Sequence, residues 1–177
     1  MKSYRPTSPS RRQMTTLPYR TLLSGDAPTK SLTYGRKRDV GRNNAGRITV
    51  RHKGGGHKRR FREIDFTYDK VGIEAKIETI EYDPNRSGFI GLALYRDGTR
   101  RYVLLPGTLK VGDTFIVSAE APLTVGNRLP LRKIPVGTFI YNIELEPRGG
   151  AKLVRSAGTF AQVLSNDAGY TNVKLPS

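Results

Sequence analysis

The sequence contains no cysteine, no tryptophan and only two histidines, His52 and His57. Without thiols there is no disulfide framework, no Cys-based zinc site and no thiol nucleophile. Apolar residues make up 36% of the 177 residues, which supports modest cores rather than one large one. No apolar run approaches the length of a bilayer span, and the longest, Phe89 to Tyr95, has the length of a strand. No secretory signal pattern opens the chain. Met1 to Arg12 is basic, Ser-bearing and free of acids, as organellar transit peptides are, but Pro6 and Pro9 interrupt any amphipathic helix there.

Acids are scarce in one place. The chain holds 31 Lys and Arg against 15 Asp and Glu, a net charge of +16. Residues 1–62 hold 17 of those cations and two acids, Asp26 and Asp39, for a net charge of +15. Residues 63–177 hold 14 cations and 13 acids, for +1. The basic third is dense in Gly, Pro, Ser, Thr and Asn and shows no sustained apolar period. It cannot bury enough surface to offset its ordering entropy, so it reads as a long irregular arm that orders on a polyanion.

From Ile64 onward the texture is that of an all-β protein. Ile73, Ala75, Ile77 and Thr79 alternate with Glu74, Lys76 and Glu78, the two-residue period of a half-buried strand. Asp83-Pro84-Asn85 marks a turn, and Arg96-Asp97-Gly98-Thr99 marks a hairpin between strands at Phe89–Tyr95 and Arg101–Leu105. A fourth strand, Thr114 to Ser118, completes a set whose spacing predicts a small closed barrel. A connector from Pro122 to Gly137 leads to strands at Phe139–Leu145, Ala151–Arg155, Thr159–Ser165 and Tyr170–Leu175. These make a second small barrel, which is expected to be incomplete because its edge is left unpaired. No segment has a helical pattern.

The stretch from Gly41 to Arg60 carries the functional signal. Three consecutive glycines, Gly54, Gly55 and Gly56, let backbone approach a phosphate chain closely and present N–H donors. Around them Arg42, Arg47, Arg51, Lys53, Lys58, Arg59 and Arg60 supply charge, and Asn43, His52 and His57 supply hydrogen bonds or ring faces. A solvated charge run is the plain alternative, but charge, glycines and lack of a core coincide here, which favours RNA. A phosphate-binding P-loop does not fit, since His57 separates Gly56 from Lys58 and no helix pattern follows. Metal binding by His52 and His57 lacks carboxylate or thiol partners, so neither a metal nor a cofactor is expected. Later basic residues beside turns, Arg86, Arg101, Arg128, Arg132, Arg148 and Arg155, are secondary candidates for RNA contact, each of them otherwise a solvated surface charge. Glu74, Glu78 and Glu81 read as strand-surface charge. No Ser–His–acid set or nucleotide loop is present, so neither an enzyme nor a small-molecule substrate is expected.

Several of these runs resemble the bacterial-type ribosomal protein L2 (L-two) family of the large subunit. They are Gly41-Arg42-Asn43-Asn44, Gly46-Arg47-Ile48-Thr49, Arg51-His52 with Gly54-Gly55-Gly56-His57-Lys58, and Arg62 to Phe66. The resemblance continues through Glu81 to Ser87, Asp97-Gly98 with Arg101-Tyr102, Gly126 to Leu131, Ile134 to Thr138 and Arg155 to Thr159. Pro6-Thr7-Ser8-Pro9 with Arg11-Arg12 also looks like that family's N-terminus, which lowers the transit-peptide reading.

The resemblance implies a basic RNA-binding extension at 1–62, an oligonucleotide-binding-fold barrel at 63–121 and a truncated SH3-like barrel at 122–177. It implies partners in large-subunit rRNA, other ribosomal proteins and the small subunit, no membrane, and a place in a bacterial or organellar ribosome. Family members continue into a Gly- and His-rich segment near the peptidyl-transferase region, which this sequence does not reach. Tyr141 stands where the family typically has His, which keeps a ring and removes a titratable group. A free-standing module that stacks single-stranded nucleic acid on a barrel face is the rival from another class.

Overall fold

In the computed structural model, which describes every residue except 25, 26 and 168, strands dominate. The basic third forms only short pieces: β1 (Lys2–Ser3) pairs with β2 (Thr15–Thr16), and β3 (Thr33–Gly35) pairs with β4 (Arg60–Arg62). Two one-turn helices, α1 (Pro9–Arg12) and α2 (Tyr19–Leu22), lie between β1 and β3 and are absent from the sequence reading. Pro9 sits at the start of α1, where a missing N–H costs nothing, so it opens a helix there instead of interrupting one. No described residue before Tyr68 is buried. No helix among the described residues is long and apolar enough to cross a membrane.

The main sheet is antiparallel, in the order β7-β6-β5-β8, with β5 at Ala75–Glu81, β6 at Ile90–Tyr95, β7 at Arg100–Leu104 and β8 at Thr114–Phe115. Asp97 and Gly98 make the β6–β7 turn as their residue types require. Gly98 has φ of 82°, and the Asp97 carboxylate accepts from the Thr99 amide (3.0 Å) and hydroxyl (2.7 Å). One face packs Ala75, Ile77, Ala93, Tyr95, Val103 and Phe115 with Tyr68 and Val117. The other face packs Ile90, Leu92 and Tyr102, covered by Leu32 and Ile64.

A bulge between Ile77 and Thr79 decides which residues of β5 reach which face. One extra residue inverts the alternation beyond it. Ile80 therefore continues the face of Ala75 and Ile77, while Glu81 turns to the face of Tyr102. This corrects the reading of Glu81 as strand-surface charge. It is 5% exposed and accepts from the Tyr102 hydroxyl at 2.8 Å and from the Thr79 hydroxyl at 3.1 Å. The Thr29 amide donates to the same Tyr102 oxygen at 2.8 Å. Glu74 and Glu78 do remain on the surface, paired with Arg96 and Arg100.

The remaining strands are β9 (Phe139–Ile140), β10 (Ile143–Glu144), β11 (Ala151–Leu153), β12 (Ala161–Asp167) and β13 (Tyr170–Lys174). They form a three-stranded sheet, β13-β12-β9, and a two-stranded one, β10-β11. The single strand expected over Phe139–Leu145 is divided at Asn142, whose φ is 59°. Its side chain donates to the Tyr68 hydroxyl at 2.8 Å, a tertiary bond that holds the break in place. The second set seats on the first through this bond, the Ala151 amide to the Phe66 carbonyl (2.8 Å) and the Arg128 guanidinium 4.6 Å from the Tyr68 ring centre. The Tyr68 hydroxyl is pushed well above its ordinary value, first by burial and then by Tyr141 nearby.

Candidate nucleic-acid interface

Residues 36–59, the 24 between β3 and β4, form a loop whose two ends meet in that ribbon. The ribbon is tied down at its base. The Glu63 amide donates to Leu32 O (2.9 Å), the Asp65 amide to Tyr102 O (2.8 Å) and Asn85 Nδ2 to Arg60 O (2.9 Å). Asn85 is itself aimed by Asp83, a wholly buried carboxylate that accepts from the Asn85 amide, Asn85 Nδ2 and Arg86 Nε at 2.6–2.9 Å.

Inside the loop, backbone conformation is specified by short-range bonds. Asn43 accepts from the Arg47 amide at 2.9 Å and starts a small hairpin in which Arg42 bridges Ile48. Gly41 has φ of 79° and receives the Thr49 and Val50 amides, and a Cβ there would lie 2.2 Å from Val50 O. No other residue fits that position. Gly56 gives room to the Arg38 guanidinium, which donates to Gly56 O at 3.0 Å and His57 O at 3.2 Å. His57 Nδ1 lies 2.8 Å from Lys58 O, and His52 adopts a positive φ of 59°.

Residues 42–60 are exposed without interruption. Of the thirteen arm residues expected to meet RNA, Arg42, Asn43, Arg47, Arg51, His52, Lys53, Gly54, Gly55, Gly56, His57, Lys58 and Arg59 therefore lie on one solvent-facing excursion, and Arg60 opens β4 at its foot. Three further cations of the loop, Arg36, Lys37 and Arg38, were outside the expected set, although the run they form is plain in the sequence. The loop holds nine Lys and Arg and one acid, Asp39. Among the described residues, no cation of residues 1–62 forms an ion pair. Their guanidinium bonds go to backbone carbonyls and to the Thr7 hydroxyl, which leaves their charge uncompensated.

The six later arginines divide into two groups. Arg101 bridges Asp65 (2.8 Å) and Asp69, and the two hydrogen bonds, Asp69 first, raise its own proton affinity. Burial alone would raise the Asp65 carboxyl, but hydrogen bonds from Arg101, the Tyr68 amide and Thr67 outweigh it and hold the group below its ordinary value. Arg86 pairs with Asp83 and lies over Phe66, as Arg155 does at 4.6 Å. Arg128 pairs with Glu144 at 2.7 Å. Arg86, Arg101 and Arg128 are thus engaged with carboxylates of the fold, while Arg155 is exposed and held by the Phe66 ring. Arg132, in a short 3-10 turn (Leu131–Lys133), and Arg148, which has φ of 62°, are exposed and unpaired among the described residues. The three aromatic residues on the strands of the main sheet, Tyr95, Tyr102 and Phe115, are all buried.

Comparison with known proteins identifies the family. Residues 29–118 match a family described as Ribosomal Proteins L2, RNA binding N-terminal domain, and residues 124–177 match Ribosomal Proteins L2, C-terminal domain. The large ribosomal subunit protein uL2 of Hyphomonas neptunium (strain ATCC 15444) is 52% identical over 177 residues, which is 100% of this chain and 64% of that relative.

Proposed function

This chain belongs to the ribosomal protein L2 family, and from that premise we propose that it is a structural constituent of the large ribosomal subunit. On this reading it binds large-subunit rRNA and supports subunit assembly, subunit association and translation. Its partners are that rRNA, neighbouring ribosomal proteins and the small subunit. It resides in the ribosome of a bacterial cytoplasm and performs no chemistry of its own.

The loop at 36–59 carries the reading. Nine cations stand exposed on a pinned loop that holds one acid, Asp39, and none of them forms an ion pair among the described residues, the arrangement a polyphosphate backbone neutralises. Arg42, Arg47, Arg51, Lys53, Lys58, Arg59 and Arg60 meet phosphates. Gly54 to Gly56 permit close approach, and Asn43, His52 and His57 add directed hydrogen bonds. Arg132 and Arg148 extend the contact outward. Arg86, Arg101, Arg128 and Arg155 shape the surface that RNA meets and offer their remaining N–H donors. Residues 63–121 and 122–177, as an oligonucleotide-binding-fold barrel and an SH3-like barrel, dock as wedges behind the arm. The rival, a module stacking a single strand on its barrel face, is disfavoured because the aromatics of that sheet are buried.

A filter-binding titration against a large-subunit rRNA transcript tests the proposal. About six to ten phosphate contacts weaken binding by about 10³ to 10⁵ between 50 and 200 mM salt. A salt slope near zero would overturn the anchor.

A further inference from the structure

We propose that Tyr34, Phe61 and Arg36 form a seat on which one unpaired nucleobase stacks, at the root of the basic loop. The register of β3 and β4 sets Tyr34 opposite Phe61, with ring centres 5.1 Å apart and planes tilted by 44°. The Arg36 guanidinium lies 5.4 Å from the Phe61 ring centre. Three π-faced groups therefore stand together where the loop leaves the ribbon.

Position along the ribbon separates this trio from the core. Leu32 and Ile64, on either side of the ring pair in the chain, both pack against Ile90, Leu92 and Tyr102. Tyr34 and Phe61 belong to neither core cluster. Tyr34 is 49% exposed, and its hydroxyl has no hydrogen-bond partner among the described residues. The other exposed aromatic of the basic third, Tyr19, has its ring turned edge-on to Tyr82 and Phe89. Mutual cover in a cross-strand pair accounts for one side of each ring. It does not account for a half-open tyrosine held among cations.

The charge around the seat specifies the ligand. Arg36, Lys37 and Arg38 leave the ribbon on one strand, and Lys58, Arg59 and Arg60 enter it on the other. A sugar–phosphate backbone neutralised by those six carries its bases within reach of the rings. An unstacked base offers the flat π-face that an aromatic ring and a guanidinium both accept. The seat rests on the reading of the loop as an rRNA anchor and adds a contact that is neither phosphate-directed nor salt-dependent.

The test uses the full chain, Tyr34→Leu and Tyr34→Phe, and a large-subunit rRNA transcript. Tyr34→Leu keeps bulk and apolarity without the ring. Its affinity falls about 5- to 150-fold, the range for losing one stacked base, while the slope of log affinity against log salt stays that of the wild type. Tyr34→Phe binds as the wild type does. Base-specific probing of the transcript shows one position protected by the wild type and the Phe variant and reactive with the Leu variant. Tyr34→Leu binding like the wild type, or altering the salt slope, overturns the seat. A flat wild-type slope overturns the anchor instead, and the Leu-to-Phe contrast still decides the stacking.

Discussion

Residues 36–59 and the sheet built on β5 to β8 handle positive charge in opposite ways. In and around the sheet, Lys70, Arg86, Arg96, Arg100 and Arg101 each meet a carboxylate, and Arg128 does the same beside the second set of strands. In the loop nine cations meet none among the described residues. The same residue type thus serves as an internal fastener in one region and as an unsatisfied surface in the other. What separates them is the supply of acids, 13 after residue 62 and two before it. Folding free energy and RNA affinity should therefore reside in different residues.

Excising 36–59 and joining Gly35 to Arg60 through Asn-Gly, a turn suited to a two-stranded ribbon, gives the largest expected effect. Affinity for rRNA falls at least about 10³-fold, while the melting temperature moves by less than about 2 °C. A large loss of thermal stability would erase the separation. Asp83→Ala tests it from the other side. It leaves the Asn85 and Arg86 donors without their buried acceptor, costs about 3 kcal/mol and lowers the melting temperature by about 6 to 12 °C. The salt slope of RNA binding should stay as it was.

Tyr102→Phe is milder, about 1 to 2 kcal/mol in urea unfolding, because it strips Glu81 and the Thr29 amide of one shared hydroxyl. An equal loss in a variant already carrying Glu81→Gln would show that the two groups act independently. The smallest effect is in pH. Asp65 is held below its ordinary value of 3.8, so its contribution is complete above that value and is lost as pH falls through the lower folded one. Asp65→Asn should be less stable at neutral pH and show a shallower decline between about pH 5 and 2. Thermal melts across that range measure it, and parallel curves for the two proteins would contradict the sign.

Much of this division was legible in the sequence. The charge split needs only counting, the Asp97-Gly98 turn follows from residue type, and the strand at 89–95 follows from its apolar run. What escaped was set by register and by tertiary partners. The alternation from Ile73 to Thr79 gives no sign of the bulge, and that one extra residue sends Glu81 to a buried face. The pattern over 139–145 suits one strand, and only the bond from Asn142 to Tyr68, 74 positions away, explains its break. The pairing of Arg101 and Arg128 was not legible because their carboxylate partners lie 36 and 16 residues off. Gly54, Gly55 and Gly56 stand out in the sequence as a consecutive group. The need for Gly41 became visible only once Val50 was folded back onto it.

The β3–β4 ribbon has one more consequence, which concerns topology. Because both ends of the 24-residue excursion are fastened to the same two strands, it is a bight and not a thread. A free tail can enter a finished crevice tip-first. A bight has to go in doubled over, needing twice the width, or be enclosed while the RNA around it is still closing. If the loop anchors rRNA as proposed, three pairs of residues at its neck would constrain the order of events in assembly.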